Sequence, residues 1–232
     1  MTNPRVEVIP VSIAHPTHPL GRHINWDQRS KARRVTRIVT DPTSHFYTAT
    51  NRNALTQRYG SCTGHSLAQC LNSSPFNHSF DDVAAEDFYS RATRIDPFEG
   101  AWPPDDTGSD GLSVMKVAKS LGYVSSYNHC FNLDDVIQGL QSGPGIAGIN
   151  WFEGFDAPDP KTGIVMPSGR VRGGHQITIQ GCDLEECLLW FRTSYGPTFG
   201  VTHRGLSGCF CMNFATAQAI LFTDGDATFP RK

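Results

Sequence analysis

The helical spacing of apolar residues stops at Ser142-Gly-Pro-Gly145, and short strand-like segments take over from there. A helix needs apolar residues at i, i+3, i+4 and i+7, whereas a half-buried strand needs them at every second position. Upstream, residues 62–142 carry the first pattern. Ser79 with Asp82 reads as a capping box ahead of Val83, Ala85, Phe88, Tyr89 and Ala92. Leu112, Val114, Met115, Val117, Ala118 and Leu121 form a second apolar face, closed by Gly122. Asn132 caps a third segment, with Leu133, Val136, Ile137 and Leu140 on one side. Downstream, residues 146–151, 177–180, 188–193, 210–214 and 219–222 read as strands between Gly and Pro turns. Helices first and strands later predict an α+β chain of two lobes with a cleft between them.

The first 50 residues lack this periodicity and are rich in Pro, His, Arg and Thr. His15-Pro-Thr-His18-Pro reads as extended, since a residue before proline is biased away from helix. His15, His18, His23 and His45 have no helical i, i+4 partner, so turn or surface roles are expected rather than metal binding. Residues 34–39 could form one strand. The organisation expected is a single domain over 1–232, with an extended segment at 1–50 and a mainly helical lobe at 51–143. A mainly β lobe at 144–224 and a tail at 225–232 complete it.

Charged residues are 18% of the 232 and the net charge is −2, which gives no broad electrostatic claim on nucleic acid or an anionic membrane. The local basic run from Arg29 to Arg37 holds no aromatic for base stacking and reads as a solvated face. The N-terminus lacks the apolar core of a signal peptide, and no run approaches a membrane span. Seven cysteines is an odd number; without an export signal, reduced thiols and cytoplasmic synthesis are expected. Cys182, Cys187, Cys209 and Cys211 fit zinc spacings poorly and read as core thiols.

Within residues 59–68, Tyr-Gly-Ser-Cys-Thr-Gly-His-Ser-Leu-Ala, Cys62 stands directly before a helical pattern. A thiol at a helix N-terminus faces free backbone N–H groups and the positive end of the macrodipole, which favour thiolate. By itself the same motif also suits a small buried cysteine in a turn. Gly173-Gly174-His175 sets an imidazole at the start of a strand, and imidazole is the base best matched to neutral pH.

Together these pieces resemble the papain-like cysteine peptidases. Gly60-Ser61-Cys62-Thr63 is similar to the nucleophile segment of the bacterial and phage branch, and Gly-Gly-His175 to the family's histidine strand. Thr193-Ser-Tyr-Gly-Pro-Thr-Phe-Gly200 resembles the Asn-Ser-Trp-Gly block, and the stretch from Leu20 to Ser30 resembles the opening of that branch. The resemblance implies a helical lobe facing an antiparallel β-barrel-like lobe. It also implies a Cys62 nucleophile, a His175 general base, a thioester acyl-enzyme and an oxyanion held by the Cys62 N–H and a glutamine.

Residue by residue, the position that orients the histidine is Thr193 instead of Asn. The oxyanion glutamine's place, six before the cysteine, is Thr56, and a one-residue deletion would give that role to Gln57. Gly108, Ser109, Asp110, Gly111, Leu112, Gly174 and Tyr195 fall where the family lines its substrate groove. The spacing from Cys62 to His175 is shorter than the roughly 130 residues of plant and lysosomal members, which implies a trimmed loop. Tyr59 and Ser109 stand where those members carry a disulfide, in keeping with a reducing compartment. Because residues 20–30 already belong to the resembling region, no long inhibitory pro-segment is expected. The partner expected is a peptide or protein substrate, cleaved at a peptide or isopeptide bond. No nucleic acid, membrane, cofactor or metal is called for. The alternative is a catalytically impaired relative acting as a binding or structural component, with a phage particle as its setting.

Overall fold

The computed structural model describes residues 18–25 and 27–232; His15 and the residues weighed as a leader lie outside them. In chain order the elements are β1 (His45–Phe46), α1 (Cys62–Asn72), α2 (Asp82–Ala92), α3 (Gly111–Ser120), β2 (Ser126–His129) and α4 (Leu133–Gly139). Then come β3 (Gly145–Phe152), β4 (Val171–Asp183), β5 (Leu188–Arg192), β6 (Val201–His203), β7 (Leu206–Asn213), α5 (Phe214–Thr223) and β8 (Asp226–Arg231). The architecture is α+β, with two lobes.

The helical lobe is built on α1, all of whose residues are buried. Gly64 lets α2 approach closely: a Cβ there would lie 2.1 Å from the Ala85 carbonyl oxygen. Leu67, Leu71, Phe88, Met115 and Val117 fill the space between the three helices. Helix starts follow side-chain capping, in which an oxygen accepts from an otherwise orphan N–H. Asp110 caps α3, Asn132 caps α4 and Asn213 caps α5. Gly122, at φ +77°, closes α3 as read. For α2 the cap is Asp81, accepting from Ala84 N at 2.9 Å, and not Ser79.

The sheet runs β2-β8-β3-β4-β5-β7-β6, with β1 on the flank of β4 and every ladder antiparallel. Its core gathers Trp151, Ile177, Ile179, Phe191, Phe210 and Phe229. The register sets Gly174 opposite Asn150 and His175 opposite Ile149. β4 also packs on α1, where Thr178 Oγ1 donates to the Ser66 carbonyl, so the histidine strand and the cysteine helix share one interface.

Three expectations fail for identifiable reasons. Residues 34–39 form no strand: Arg34 makes one isolated bridge to His129, and the Gln138 side chain takes the Ile38 and Val39 N–H groups. Residues 219–222 lie in α5, because a short apolar run does not disclose its period. Asn213 starts the helix, which turns Ala217 and Leu221 inward, one turn apart. Residues 225–232 are no tail, since β8 lies between β2 and β3 with Ala227 and Phe229 buried. Pro230 argues against a strand, yet β3 pairs only with residues 226–228 and leaves one side of the ladder open there. β1, β2 and β6 are strands not expected, β2 lying inside the segment read as helical.

Candidate active site

Cys62 is the first residue of α1, and its side chain is fully buried. The backbone N–H groups of Gln176, Gly21 and Thr63 face the sulfur. Gln176 follows His175 on β4, the strand that packs on α1, and Tyr195 is near both the Cys62 thiol and the His175 ring. His175 Nε2 lies 2.8 Å from Thr193 Oγ1 on the segment after β5, while its Nδ1 is buried and unpartnered. The ring is held on both sides. Tyr195 stacks on it at 4.6 Å between centroids and 12° between planes, and Trp151 meets it edge-on at 4.8 Å.

Of the two oxyanion candidates, Thr56 is exposed and bridges Tyr195 through its backbone. Gln57 is buried. Its Oε1 accepts from Ser194 Oγ at 2.5 Å, and its Nε2 donates to the Pro19 and Tyr59 carbonyls at 2.9 Å each. The groove residues divide. Gly108, Ser109 and Gly174 present backbone to the cleft, and Gly111 sits against the Gln176 amide and the Asp226 carboxylate. Asp110 caps α3, bonded to Ser113 N and Oγ, and lines a cavity with Asn25, Gly111, Leu112 and Asp226. Leu112 is only partly buried beside it. The edge carries no disulfide; Ser109 Oγ donates to Asp96 Oδ2 at 2.6 Å instead.

The feature sequence reasoning missed is what fills the cleft. Residues 18–25 run through it as an extended strap. His18 stacks on Tyr195 at 4.4 Å, and the Pro19 carbonyl takes the Gln57 amide. Gly21 N and Arg22 N donate to the Gly174 carbonyl at 3.2 and 2.9 Å. On the opposite wall His23 N donates to the Ser109 carbonyl and Ser109 N to the Gly21 carbonyl, both at 2.8 Å. Gly21 is required where the strap crosses the segment before α1, since a Cβ would sit 2.0 Å from the Gly60 carbonyl oxygen. The Leu20-Gly-Arg-His run was visible as part of the resembling region, but nothing in the sequence says which wall it lies on.

Enclosure sets the electrostatics. Burial pushes the Cys62 thiol up to about 11, against the pull of the Gln176 and Gly21 N–H groups. Burial, with positive charge from His18 and Arg172 nearby, holds His175 well below its ordinary range. Burial thus disfavours the charged form of each group. The seven cysteines are all unpaired, and Cys187 is the exposed one.

The fold is one shared with solved structures of papain-like cysteine proteases. Among solved structures the chain is similar to xylellain, a cysteine protease from Xylella fastidiosa, at TM-score 0.71 and 16% identity over 96% of this chain and 99% of that one. It is similar to a procathepsin B from Trypanosoma congolense at TM-score 0.58 and 8% identity, over 92% and 87% of the two chains. For the bromelain protease of Ananas comosus, in complex with the E64 inhibitor, the values are 0.55 and 13%, over 82% and 99%. At these identities the likeness is one of fold. No family model matches the chain, and no curated protein matches it in sequence.

Proposed function

We propose that this chain is a thiol peptidase of the bacterial and phage type, held latent by its own residues 18–25. What supports the reading is that Tyr195 neighbours both the helix-start Cys62 and His175, that His175 is bonded to Thr193, and that the buried Gln57 is bonded to the adjacent Ser194. When the strap leaves, water reaches the pair and thiolate–imidazolium becomes accessible, aided by the N-terminus of α1. Cys62 Sγ attacks the scissile carbonyl carbon. The oxyanion that forms is held by Cys62 N–H and by Gln57 Nε2, the amide the Pro19 carbonyl engages in the latent form. His175 then gives its proton to the leaving amine, which departs and leaves a thioester. Water adds to that thioester, His175 takes its proton, and the acid product and free thiol are regenerated.

The experiment is turnover of a mixed peptide library by the full chain, by Cys62→Ala and by Gly21→Val, the last chosen to displace the strap. Turnover that requires Cys62 and rises in Gly21→Val is expected; equal turnover with and without Cys62 overturns the reading. A second reading, a catalytically impaired binding or structural component, is favoured by one observation: the cleft is already filled. It predicts no turnover in Gly21→Val.

A further inference from the structure

We propose that His65 is a positioning residue for the oxyanion of the Cys62 reaction, holding the Ser61–Cys62 peptide so that its N–H points at the developing charge. The inference deepens the peptidase reading and rests on it. Helices α2, α3, α4 and α5 each open on an Asp or Asn whose side chain accepts one of the first free N–H groups. α1 departs from that pattern: Ser61 makes no side-chain cap, and its Oγ is buried without a hydrogen-bond partner. What fixes the entry to α1 is a residue one turn further on. The Ser61 carbonyl accepts from His65 N at 3.1 Å, and the His65 ring Nδ1 lies 3.0 Å from the same oxygen. A carbonyl oxygen only accepts, so Nδ1 carries the hydrogen and donates.

That oxygen belongs to the peptide unit whose nitrogen is Cys62 N. The Cys62 N–H is one of the donors a helix leaves without an internal partner, and the proposed reaction uses it on the oxyanion. Two bonds at the carbonyl end set the plane of this peptide and polarise its N–H, as serial hydrogen bonds do. A donor fixed in advance stabilises the oxyanion most, because nothing has to reorient when the charge forms. An apolar side chain would fill the same space at lower cost. His65 is fully buried, its Nε2 makes no hydrogen bond, and the Asp82 carboxylate stands 3.7 Å away, beyond bonding range. A buried nitrogen left unpaired is a local cost of the kind kept where it serves a site. Asp82 reaches the second donor: the same Oδ1 accepts Thr56 N at 2.9 Å, and Thr56 precedes Gln57. His65 thus stands between the two segments that carry the oxyanion donors, and it acts through Ser61 rather than on substrate.

The test uses the full chain with Gly21→Val to displace the strap, and the library peptide it cleaves fastest, remade with an aldehyde or an alcohol at the cleaved position. Cys62 Sγ bonds to the aldehyde carbon, the C=O π pair moves onto oxygen and His175 takes the thiol proton, which leaves an oxyanion. The alcohol forms none. His65→Phe is expected to weaken aldehyde binding at least about tenfold, while alcohol binding and iodoacetamide labelling of Cys62 stay within about twofold. His65→Asn sets its amide nitrogen where the ring holds Nδ1, and is expected to restore aldehyde binding to within about threefold of the parent. His65→Gln, whose amide lies one bond further out, is expected not to. Thermal melts check folding, and if His65→Phe does not fold, the comparison of Asn with Gln decides. Aldehyde binding unmoved by His65→Phe, equal loss of aldehyde and alcohol binding, or no difference between Asn and Gln overturns the positioning role and leaves the peptidase reading intact. Absence of Cys62-dependent turnover in Gly21→Val overturns both, since no oxyanion then forms.

Discussion

A hydroxyl beside an imidazole fixes its tautomer less firmly than a carboxamide oxygen does. Thr193 Oγ1, 2.8 Å from His175 Nε2, can accept or donate. When it accepts, Nδ1 keeps its lone pair and can take the Cys62 proton; when it donates, Nδ1 carries the hydrogen and cannot act as base. An Asn carbonyl oxygen permits only the first arrangement. Thr193→Asn is therefore expected to raise kcat, while Thr193→Ala, which strands a buried nitrogen, is expected to lower it about tenfold to a hundredfold. Steady-state kinetics on a strap-displaced background, with the pH profile, would show whether orientation is the cause. The roles of Cys62 and His175 could be suggested from local motifs because each sits in a short segment with its own glycines. Gln57 could not be told from Thr56 by counting. The choice depends on which residue the loop before α1 buries, and that is set by its backbone bond to Ser194 and by the strap.

Elements carry the geometry these residues need. α1 reaches α2 through Gly64, and a methyl group there would force the Ala85 carbonyl away. Gly64→Ala is expected to destabilise the fold by about 1–3 kcal/mol in urea unfolding, as overpacking does, despite alanine's better helix propensity. A variant as stable as the parent or more so would refute that close approach. Most of the helices were legible in the sequence because their apolar periodicity and caps are local. β8 and α5 were not, for opposite reasons. In β8 the pairing partners lie far away in sequence, at residues 126–129 and 146–148. In α5 the apolar run fits either period until an N-cap and a neighbouring sheet choose.

At the scale of the whole molecule, the strap couples burial to reactivity. Gly21→Val is expected to free the cleft and raise iodoacetamide labelling of Cys62 at neutral pH by at least about tenfold, since a thiol no longer held near 11 ionises more readily. Exposed Cys187 serves as the internal reference, and unchanged labelling of Cys62 relative to it would count against the latch. Acid should act on the fold as well. Burial depresses His65, His129 and His175, so each stays neutral when folded but takes up a proton near 6.5 when unfolded. The unfolded state then binds more protons, and stability is expected to fall as pH drops from about 7 toward about 5. Thermal melts across that range, with His129→Gln flattening the slope, would check it. Among the described residues no helix is long and apolar enough to cross a membrane.

What the sequence determined by itself is whatever a short window can hold. That comprises most of the helices with several of their caps, most strands of the β lobe, and a cysteine, a histidine and an aromatic–glycine block in order along the chain. The tertiary structure alone decided which of these meet, that Asp110 caps a helix, and that residues 18–25 lie between Ser109 and Gly174 with Arg22 on Asp226. The reason is physical. Helical and alternating patterns are set by contacts a few residues apart, whereas a strap in a cleft is held by main-chain bonds to segments scores of residues away. Those bonds use groups every residue possesses, and so leave no mark on side-chain identity beyond Gly21 and Arg22.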